Sequence, residues 1–280
     1  VAGDATITRI SKEEFWVVSS GVSERYQKRF FNRVKLPKNT IFQSQTNEMC
    51  GFNIAGPKSR EILQRLSNQD LSNKNWPFMR SGILSIAGVS CLALRISFTG
   101  DLGWEIYCDT NKQKIVYDAL LQEAINEKGG PVGSRALMSL RIEKGYGSWS
   151  REYSPEVWPH ECGLDKLCKL DKDFLNKQAL VDNLKKRPRE DLVLIHLDEE
   201  DCNLSKADAT GGEPIFKNGK GLGRVTSGAY GYSVGMSLAL GYVKDVVPGD
   251  TVDVMVLGRP HRGKILEAPP FDPEGKILRS

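Results

Sequence analysis

Two carboxylates stand where ordinary surface solvation does not readily explain their placement. Asp4 lies at the start of a predicted strand, between Gly3 and Ala5. Glu105 directly follows Trp104, just after a glycine-rich turn. Because a carboxylate accepts two parallel N–H donors in one plane, Glu105 is suited to hydrogen-bond a flat aminopyrimidinone ring. Structural explanations stay open for both residues, Asp4 as a turn residue and Glu105 as part of a tight hairpin.

The sequence lacks the common signatures of other enzyme classes. It contains no Walker A, GxSxG, HExxH or EF-hand pattern. Its three histidines are scattered and its six cysteines form no CxxC pair, so no metal site is predicted. Free thiols in a chain of this length favour a reducing compartment. If the chain is an enzyme, its chemistry should depend on carboxylates and on a cofactor.

Composition and charge narrow the class of protein. A chain of 280 residues with 40% hydrophobic and 26% charged residues predicts about two compact units and excludes disorder. The net charge of +4 is too weak to indicate a nucleic-acid partner, and no apolar run is long enough to indicate a membrane span. The basic run at 185–189 contains proline and is followed by two acids, which favours a solvated linker over a polyanion site.

The hydrophobic pattern divides the chain into three regions, of which the first is residues 1–47. Two short strand-like runs there precede a stretch of helical periodicity. The predicted elements are strands at 6–10 and 15–19 and a helix at 22–34 with Val22, Tyr26, Phe30 and Val34 on one side.

The second region, residues 48–185, alternates strand-like and helical patterns. Pro57 is well placed as the first residue of a helix. This order predicts an α+β sandwich with an antiparallel sheet. The predicted elements are strands at 50–55, 82–86, 89–98 and 104–107, and helices after Pro57, at 111–126 and at 135–144.

The third region, residues 190–280, shows no convincing helical pattern. Short runs of alternating apolar residues are broken by glycine, proline, asparagine and aspartate. They predict a small all-β barrel or jelly roll. The predicted strands are at 192–197, 223–227, 239–243, 252–257 and 263–267.

The segment 97–107, SFTGDLGWEIY, resembles the TGxxG-aromatic-E signature of the glycine-cleavage T-protein family, the folate-dependent aminomethyltransferases. The resemblance implies a multidomain folate-binding fold, with ferredoxin-like α+β subdomains that have antiparallel sheets, followed by a C-terminal barrel. Similar segments follow the family order along the whole chain, at 54–57, 140–145, 164–171, 173–180, 223–228 and 238–243.

Residues 134–139, 146–155 and 269–273 are similar to the C-terminal folate domain of dimethylglycine and sarcosine dehydrogenases. In those flavoenzymes an FAD domain oxidises an N-methyl amine, and the folate domain captures the one-carbon unit as 5,10-methylenetetrahydrofolate. The resemblance implies tetrahydrofolate as the cofactor and a small one-carbon donor as the partner. FAD is implied only if a dehydrogenase domain or subunit lies upstream. The compartment implied is the bacterial cytoplasm or the mitochondrial matrix.

The resemblance also assigns roles to individual residues. It implies that Asp4 is the catalytic aspartate and that Thr6 lies near the folate. Glu105 matches the glutamate that hydrogen-bonds the pterin ring. We expect the folate to bind in a cleft where the three regions meet. Asp4 would stabilise positive charge that develops on an iminium, while the folate itself is the nucleophile.

The chain departs from the family pattern at two positions. Phe98 stands where this branch often has tyrosine, so stacking would survive while a hydroxyl contact would be lost. Leu137 replaces the arginine in the "GARD" stretch of free-standing T-proteins, and Arg135 is the candidate substitute.

Other members of the family remain as alternatives. One is a tetrahydrofolate-dependent O- or S-demethylase, and another is a non-catalytic folate-binding module such as the regulatory subunit of pyruvate dehydrogenase phosphatase. The iron–sulfur-assembly relatives are disfavoured because the run at 144–148 lacks their cysteine. The family places a sizeable segment before the catalytic aspartate, so we expect this chain to be cut from a longer protein.

Overall fold

The computed structural model describes the backbone of residues 1–280 and every side chain except those of Leu204 and Ser205. The strands are β1 (Ala5–Arg9), β2 (Phe15–Ser19), β3 (Met49–Ala55), β4 (Ser81–Ile86), β5 (Val89–Leu94), β6 (Gly103–Asp109), β7 (Asp191–Leu197), β8 (Pro214–Lys217), β9 (Lys220–Gly231), β10 (Met236–Val243), β11 (Thr251–Val256) and β12 (Arg259–Ile265). The α-helices are α1 (Glu24–Arg33), α2 (Ser59–Leu66), α3 (Gln113–Asn126), α4 (Ser134–Glu143), α5 (Lys177–Leu184), α6 (Glu199–Ser205) and α7 (Lys276–Arg279).

The chain folds into two compact units, each assembled from segments that are separated in sequence. The division into regions 1–47, 48–185 and 190–280 stays a prediction. The barrel unit consists of Val1–Ala5, Ser19–Glu24 and Met138–Phe271, and the sheet unit consists of Thr6–Val18, Arg25–Leu137 and Asp272–Ser280.

The sheet unit is built on a four-stranded antiparallel sheet in the order β3-β6-β5-β4. Helices α2 and α3 pack against each other and against this sheet. Because side chains alternate along a strand, β6 directs Trp104 and Ile106 into the apolar core and Glu105 and Tyr107 to the opposite face. Each fully buried apolar side chain of this size contributes about 1.5–3 kcal/mol to folding. The core therefore fixes the strand that carries Glu105.

Strand β5 is shorter than the sequence pattern predicts. It ends at Leu94, where the backbone pairing of β5 with β6 stops, although Arg95 still bonds to the segment just before β4. The Arg95 amide donates to the Arg80 carbonyl at 2.8 Å, and the Met79 amide donates to the Arg95 carbonyl at 3.0 Å. The predicted strand was therefore wrong over 95–98, and Phe98 lies half-buried in the loop between β5 and β6.

The predicted helix after Pro57 forms, but it begins two residues later than expected. Pro57 lies in the turn before α2, and Ser59 is the first helical residue. The Ser59 hydroxyl donates to the carbonyls of Gly56 at 2.7 Å and Leu102 at 2.9 Å. These bonds join the start of α2 to the turn that precedes β6.

The first predicted region contains a two-stranded sheet, β1–β2, and helix α1. The predicted helix is confirmed, although its apolar side stays exposed in the sheet unit. No residue of α1 is buried, and Phe30 is 53% exposed. The ring of Phe31 stacks on that of Phe42, with centroids 4.5 Å apart.

The barrel unit contains a closed six-stranded barrel in the order β10-β7-β12-β11-β8-β9. Alternation along β11 buries Val252, Val254 and Val256, as the sequence pattern predicted. Gly223 allows the close approach of β9 and β10, because a Cβ there would lie 1.9 Å from the Tyr242 carbonyl oxygen. The α+β class, the antiparallel sheets and the C-terminal barrel are all confirmed.

The expectation that the third region holds no helix was wrong. Helix α6 follows β7 and is capped by Asp198, whose carboxylate accepts from the Glu200 amide at 2.8 Å. The sequence did not predict this helix because it is short and its first turn is acidic, so it shows no helical pattern of apolar residues. Helix α7, only four residues long, lies near the end of the chain.

The six cysteines are all free thiols. Among the residues that the structure describes, no group of three or more histidine, cysteine or acidic side chains is arranged to hold a metal ion. In that same part of the chain, no helix has both the length and the apolar character needed to cross a bilayer.

Candidate functional site

Glu105 lies on β6, a central strand of its sheet, opposite Asn53 of β3 and Leu94 of β5. Tyr107 is two residues further along the same face and donates its hydroxyl to Glu105 Oε2 at 2.6 Å. Among the residues that the structure describes, Tyr107 is the only hydrogen-bonding or ion-pairing partner of this carboxylate. The second oxygen, Oε1, is therefore available to accept from a ligand.

Burial governs the protonation of both groups. It raises the pKa of the Glu105 carboxyl above its ordinary value of 4.5, and the hydrogen bond from Tyr107 partly opposes that rise. Burial also raises the pKa of the Tyr107 hydroxyl, with a further contribution from the neighbouring Glu105 charge. Tyr107 therefore remains a protonated donor at neutral pH. A half-buried carboxylate without a cationic neighbour is suited to accept from neutral N–H groups.

The aromatic side chain of Trp16 lies beside this pair. The Trp16 ring, from β2, lies 6.0 Å from the Tyr107 ring at an interplanar angle of 55°. Gly51 of β3 leaves room for the Tyr107 ring, since a Cβ at Gly51 would lie 2.8 Å from the ring. The Tyr107 ring beside the carboxylate, with Trp16 next to it, could pack against a flat ligand ring.

The other folate-contact candidates of the sheet unit lie on separate elements. Thr6 is half-buried on β1, Phe98 is half-buried in the loop before β6, and Arg135 is exposed in the first turn of α4. None of the three forms a hydrogen bond or ion pair with Glu105 among the described side chains. Their roles in binding stay predictions.

Asp4, the predicted catalytic aspartate, belongs to the barrel unit and immediately precedes β1. Its side chain reaches solvent, yet desolvation by the surrounding protein raises the pKa of its carboxyl. Burial raises the pKa of the Tyr153 hydroxyl to about 12, and the charge of Asp4 adds to this rise. A carboxyl group with a raised pKa is suited to proton exchange, which is compatible with the predicted role.

The sequence reasoning missed a buried ion pair in the barrel unit. Arg141 of α4 donates to Glu152 at 2.8 Å, and both side chains are 0% exposed. Ser227 donates to the same carboxylate and accepts from Arg141 at 2.6 Å. The signal in the sequence was a charged residue between Leu140 and Ile142, inside an apolar stretch. The pair fixes the end of α4 to the barrel.

The basic run at 185–189 is paired with acidic residues. Arg189 donates to both carboxylate oxygens of Glu161 at 2.7 Å and lies 4.5 Å from the Trp158 ring centroid. Arg187 pairs with Asp245 at 2.5 Å. These contacts favour the interpretation of the run as a linker over a polyanion site.

Comparison with known proteins assigns the chain to a class. Residues 1–172 match the family described as the GCVT N-terminal domain, and residues 191–272 match the glycine cleavage T-protein C-terminal barrel domain. An α+β part followed by a closed barrel is the architecture that these two domains define. The chain belongs to the glycine cleavage T-protein family, which includes transferases that carry aminomethyl groups.

Individual relatives refine that assignment. Human mitochondrial dimethylglycine dehydrogenase is 33% identical over 275 residues, which cover 96% of this chain and 31% of that protein. The aminomethyltransferase of Desulfitobacterium hafniense (strain Y51) is 26% identical over 269 residues, covering 95% of this chain and 72% of the other. This chain thus spans about a third of the length of the dehydrogenase.

A solved structure supports the fold. The crystal structure of glycine cleavage system aminomethyltransferase T from Bartonella henselae superposes with a TM-score of 0.80 at 21% identity. The match covers 98% of this chain and 73% of that one. At this level of identity the likeness supports the fold alone.

Proposed function

We propose that this chain binds tetrahydrofolate and captures the one-carbon unit released by oxidation of an N-methyl amine, with 5,10-methylenetetrahydrofolate as the product. The observation that carries the proposal is the half-buried Glu105 carboxylate, held at one oxygen by Tyr107 and available at the other. Membership of the glycine cleavage T-protein family supports the class of reaction. The similarity to dimethylglycine dehydrogenase supports the class of donor.

The residues around Glu105 fit a pterin ring. The edge of a pterin presents an amino group and a ring N–H side by side, and a carboxylate can accept from both. Tyr107 leaves this capacity in place, because each carboxylate oxygen accepts more than one hydrogen bond. Trp16 lies beside Tyr107, and Phe98 adds an aromatic side chain in the loop before β6. When bound, tetrahydrofolate would supply the nucleophilic nitrogen that accepts the one-carbon unit.

In this proposal Asp4 acts on the donor. Its carboxylate stabilises positive charge that develops on the one-carbon donor and assists the loss of a proton at the attacking nitrogen. The raised pKa of Asp4 supports a part in proton transfer. General acid–base assistance of this kind contributes about 10²–10⁴-fold to a rate. No covalent intermediate with the protein is required.

The partner in this proposal is an FAD-containing amine dehydrogenase domain or subunit. It would oxidise a small N-methyl amine and supply the one-carbon donor. Its FAD would belong to that partner, and the present chain would contribute the folate-dependent step.

The test supplies the donor with a flavin-dependent amine dehydrogenase, in the presence of tetrahydrofolate and a formaldehyde trap that suppresses spontaneous condensation. We expect the chain to raise the yield of 5,10-methylenetetrahydrofolate, and we expect Asp4→Asn to lower the rate at least 100-fold. Asp173→Asn, a change of an exposed aspartate in the barrel unit, is the matched control.

Other outcomes would contradict the proposal. Formation of 5-methyltetrahydrofolate from an O- or S-methyl donor would indicate a demethylase. Folate binding without turnover of any donor would indicate a regulatory module. A folded Asp4→Asn variant with the wild-type rate would exclude Asp4 as the catalytic carboxylate.

A further inference from the structure

Three cysteines lie in one row across neighbouring strands of the sheet unit. Cys50 of β3 is directly opposite Cys108 of β6, and their Sγ atoms are 3.5 Å apart. On the other side of β6, Leu92 of β5 pairs with Tyr107, so the neighbouring residue Cys91 lies opposite Cys108. The Cys91 thiol also interacts with that of Cys108. Neither the carboxylate site nor the proposed one-carbon chemistry uses these thiols.

The three thiols differ in access. Cys108 and Cys91 are buried in the core, at 0% and 1% exposure. Cys50 is half-buried on β3, an edge strand of its sheet. Burial also raises the pKa of Cys91 to about 11 and that of Cys108 to about 12, so both are protonated at neutral pH. Because Cys50 is the most exposed of these three thiols, a small oxidant arriving from solvent meets Cys50 first.

The backbone geometry already suits a cross-strand bond between Cys50 and Cys108. Residues directly opposite each other in an antiparallel pair have Cα atoms about 4.5–5.5 Å apart. Disulfides join Cα atoms that are about 4.4–6.8 Å apart. The two sulfur atoms therefore need only side-chain rotation to close from their present separation.

We propose that Cys50 and Cys108 form a modification site, at which hydrogen peroxide converts the two thiols into a disulfide that joins β3 to β6. The Cys50 sulfur attacks one peroxide oxygen, the O–O bond breaks, and a sulfenic acid and one water form. The Cys108 sulfur then attacks the sulfenic sulfur, and that oxygen leaves with the Cys108 proton as a second water. Two thiols are thereby oxidised by two electrons, and one peroxide is reduced to two waters.

The bond would form beside the candidate folate site. Cys50 precedes Gly51, against which the Tyr107 ring packs, and Cys108 follows Tyr107. Joining the strands here constrains the backbone that carries Tyr107 and Glu105. Because the bond also restricts the unfolded chain between residues 50 and 108, we expect a rise of several degrees in the melting temperature.

The test is thiol counting and peptide mapping of the intact chain after treatment with hydrogen peroxide. We expect two of the six thiols to be lost, a mass decrease of about 2 Da, and one linked peptide that contains Cys50 and Cys108. Dithiothreitol should restore all the thiols and reverse the rise in melting temperature.

Single substitutions identify the pair. Cys50→Ser and Cys108→Ser should each abolish the linked peptide, whereas Cys91→Ser should retain it. Cys168→Ser, which changes a half-buried thiol of the barrel unit, is the matched control and should also retain it. Retention of all six thiols in the wild type, oxidation that ends at sulfinic acid, or a linked peptide that contains Cys91 would each overturn the proposal. The peptide map of the wild-type chain tests the proposal even if one of the variants fails to fold.

Discussion

The hydroxyl of Tyr107 donates to Glu105 Oε2 at 2.6 Å, from the next position on the same face of β6. Both side chains point away from the apolar core beneath the strand, because Trp104 and Ile106 occupy the alternate positions. The bond restricts the rotation of the carboxylate before any ligand arrives. Such preorganisation lowers the entropy cost of binding.

Replacing Tyr107 with phenylalanine tests this restraint. We expect Tyr107→Phe to weaken the binding of tetrahydrofolate by about 5–10-fold, because a hydrogen bond of this kind contributes about 1–1.5 kcal/mol. Tyr117→Phe, a change of an exposed tyrosine on α3, is the control and should leave the affinity unchanged. Isothermal titration calorimetry measures both. Equal affinity for the wild type and Tyr107→Phe would show that the bond does not orient the carboxylate.

The raised pKa of Glu105 predicts a pH dependence of binding. The ionised carboxylate accepts N–H donors, so affinity should be highest above this pKa and should fall as pH drops through it. Because burial raises the pKa of Glu105, the fall should begin above pH 4.5. Titrations at several pH values in wild type and Glu105→Gln measure the effect. The glutamine side chain does not titrate. If the affinity of Glu105→Gln fell with pH by the same amount, the pH dependence would belong to another group.

The buried ion pair of Arg141 and Glu152 predicts a large loss of stability on mutation. Glu152→Gln leaves a fully buried guanidinium without its counter-ion, which costs about 3–5 kcal/mol. Asp118→Asn removes the exposed pair with Lys114 and should cost less than about 1 kcal/mol. Denaturant unfolding at neutral pH compares the two variants. A similar small cost for both would show that the buried pair is dispensable.

The Glu161 carboxylate is expected to contribute to folding stability at neutral pH and to lose this contribution in acid. Burial alone would raise its pKa, but hydrogen bonds from Arg189 and the Trp158 backbone lower the pKa of Glu161 to about 2. A depressed folded-state pKa stabilises the protein above the unfolded value near 4.5, and this contribution disappears as pH falls towards 2.

The corresponding measurement is the unfolding free energy of Glu161→Gln at several pH values. Arg189 is about half exposed, so we expect a loss of about 1 kcal/mol at pH 7 that shrinks steadily below pH 4.5. Glu156→Gln, a change of an exposed carboxylate nearby, should show no such trend. A loss in Glu161→Gln that is independent of pH would argue against this role.

The sequence predicted those parts of the molecule that local periodicity controls. Alternation of valines from Val252 to Val256 predicted a barrel strand, and the same rule puts Glu105 and Tyr107 on one face. The family resemblance pointed to Glu105 itself. The Tyr107 partner could have been predicted by counting two residues along the strand.

Contacts between distant segments could not be predicted in this way. Strand β5 ends at Leu94, where its pairing with β6 stops, and no local pattern encodes where the pairing of two strands stops. Likewise, Glu152 reaches Arg141 across a turn, and Ser227 joins the pair from a barrel strand. Phe98 lies in the loop that follows the end of β5.

Calorimetric titration of tetrahydrofolate into the wild-type chain and Glu105→Gln measures whether Glu105 holds the folate. The amide of glutamine opposes an N–H donor with its own N–H, so we expect the variant to bind at least about 10-fold more weakly, a loss of about 1.4 kcal/mol or more. Glu61→Gln, a change of an exposed glutamate on α2, should bind like the wild type. Undetectable binding to the folded wild type, or equal affinity in all three proteins, would contradict the claim that Glu105 holds the folate.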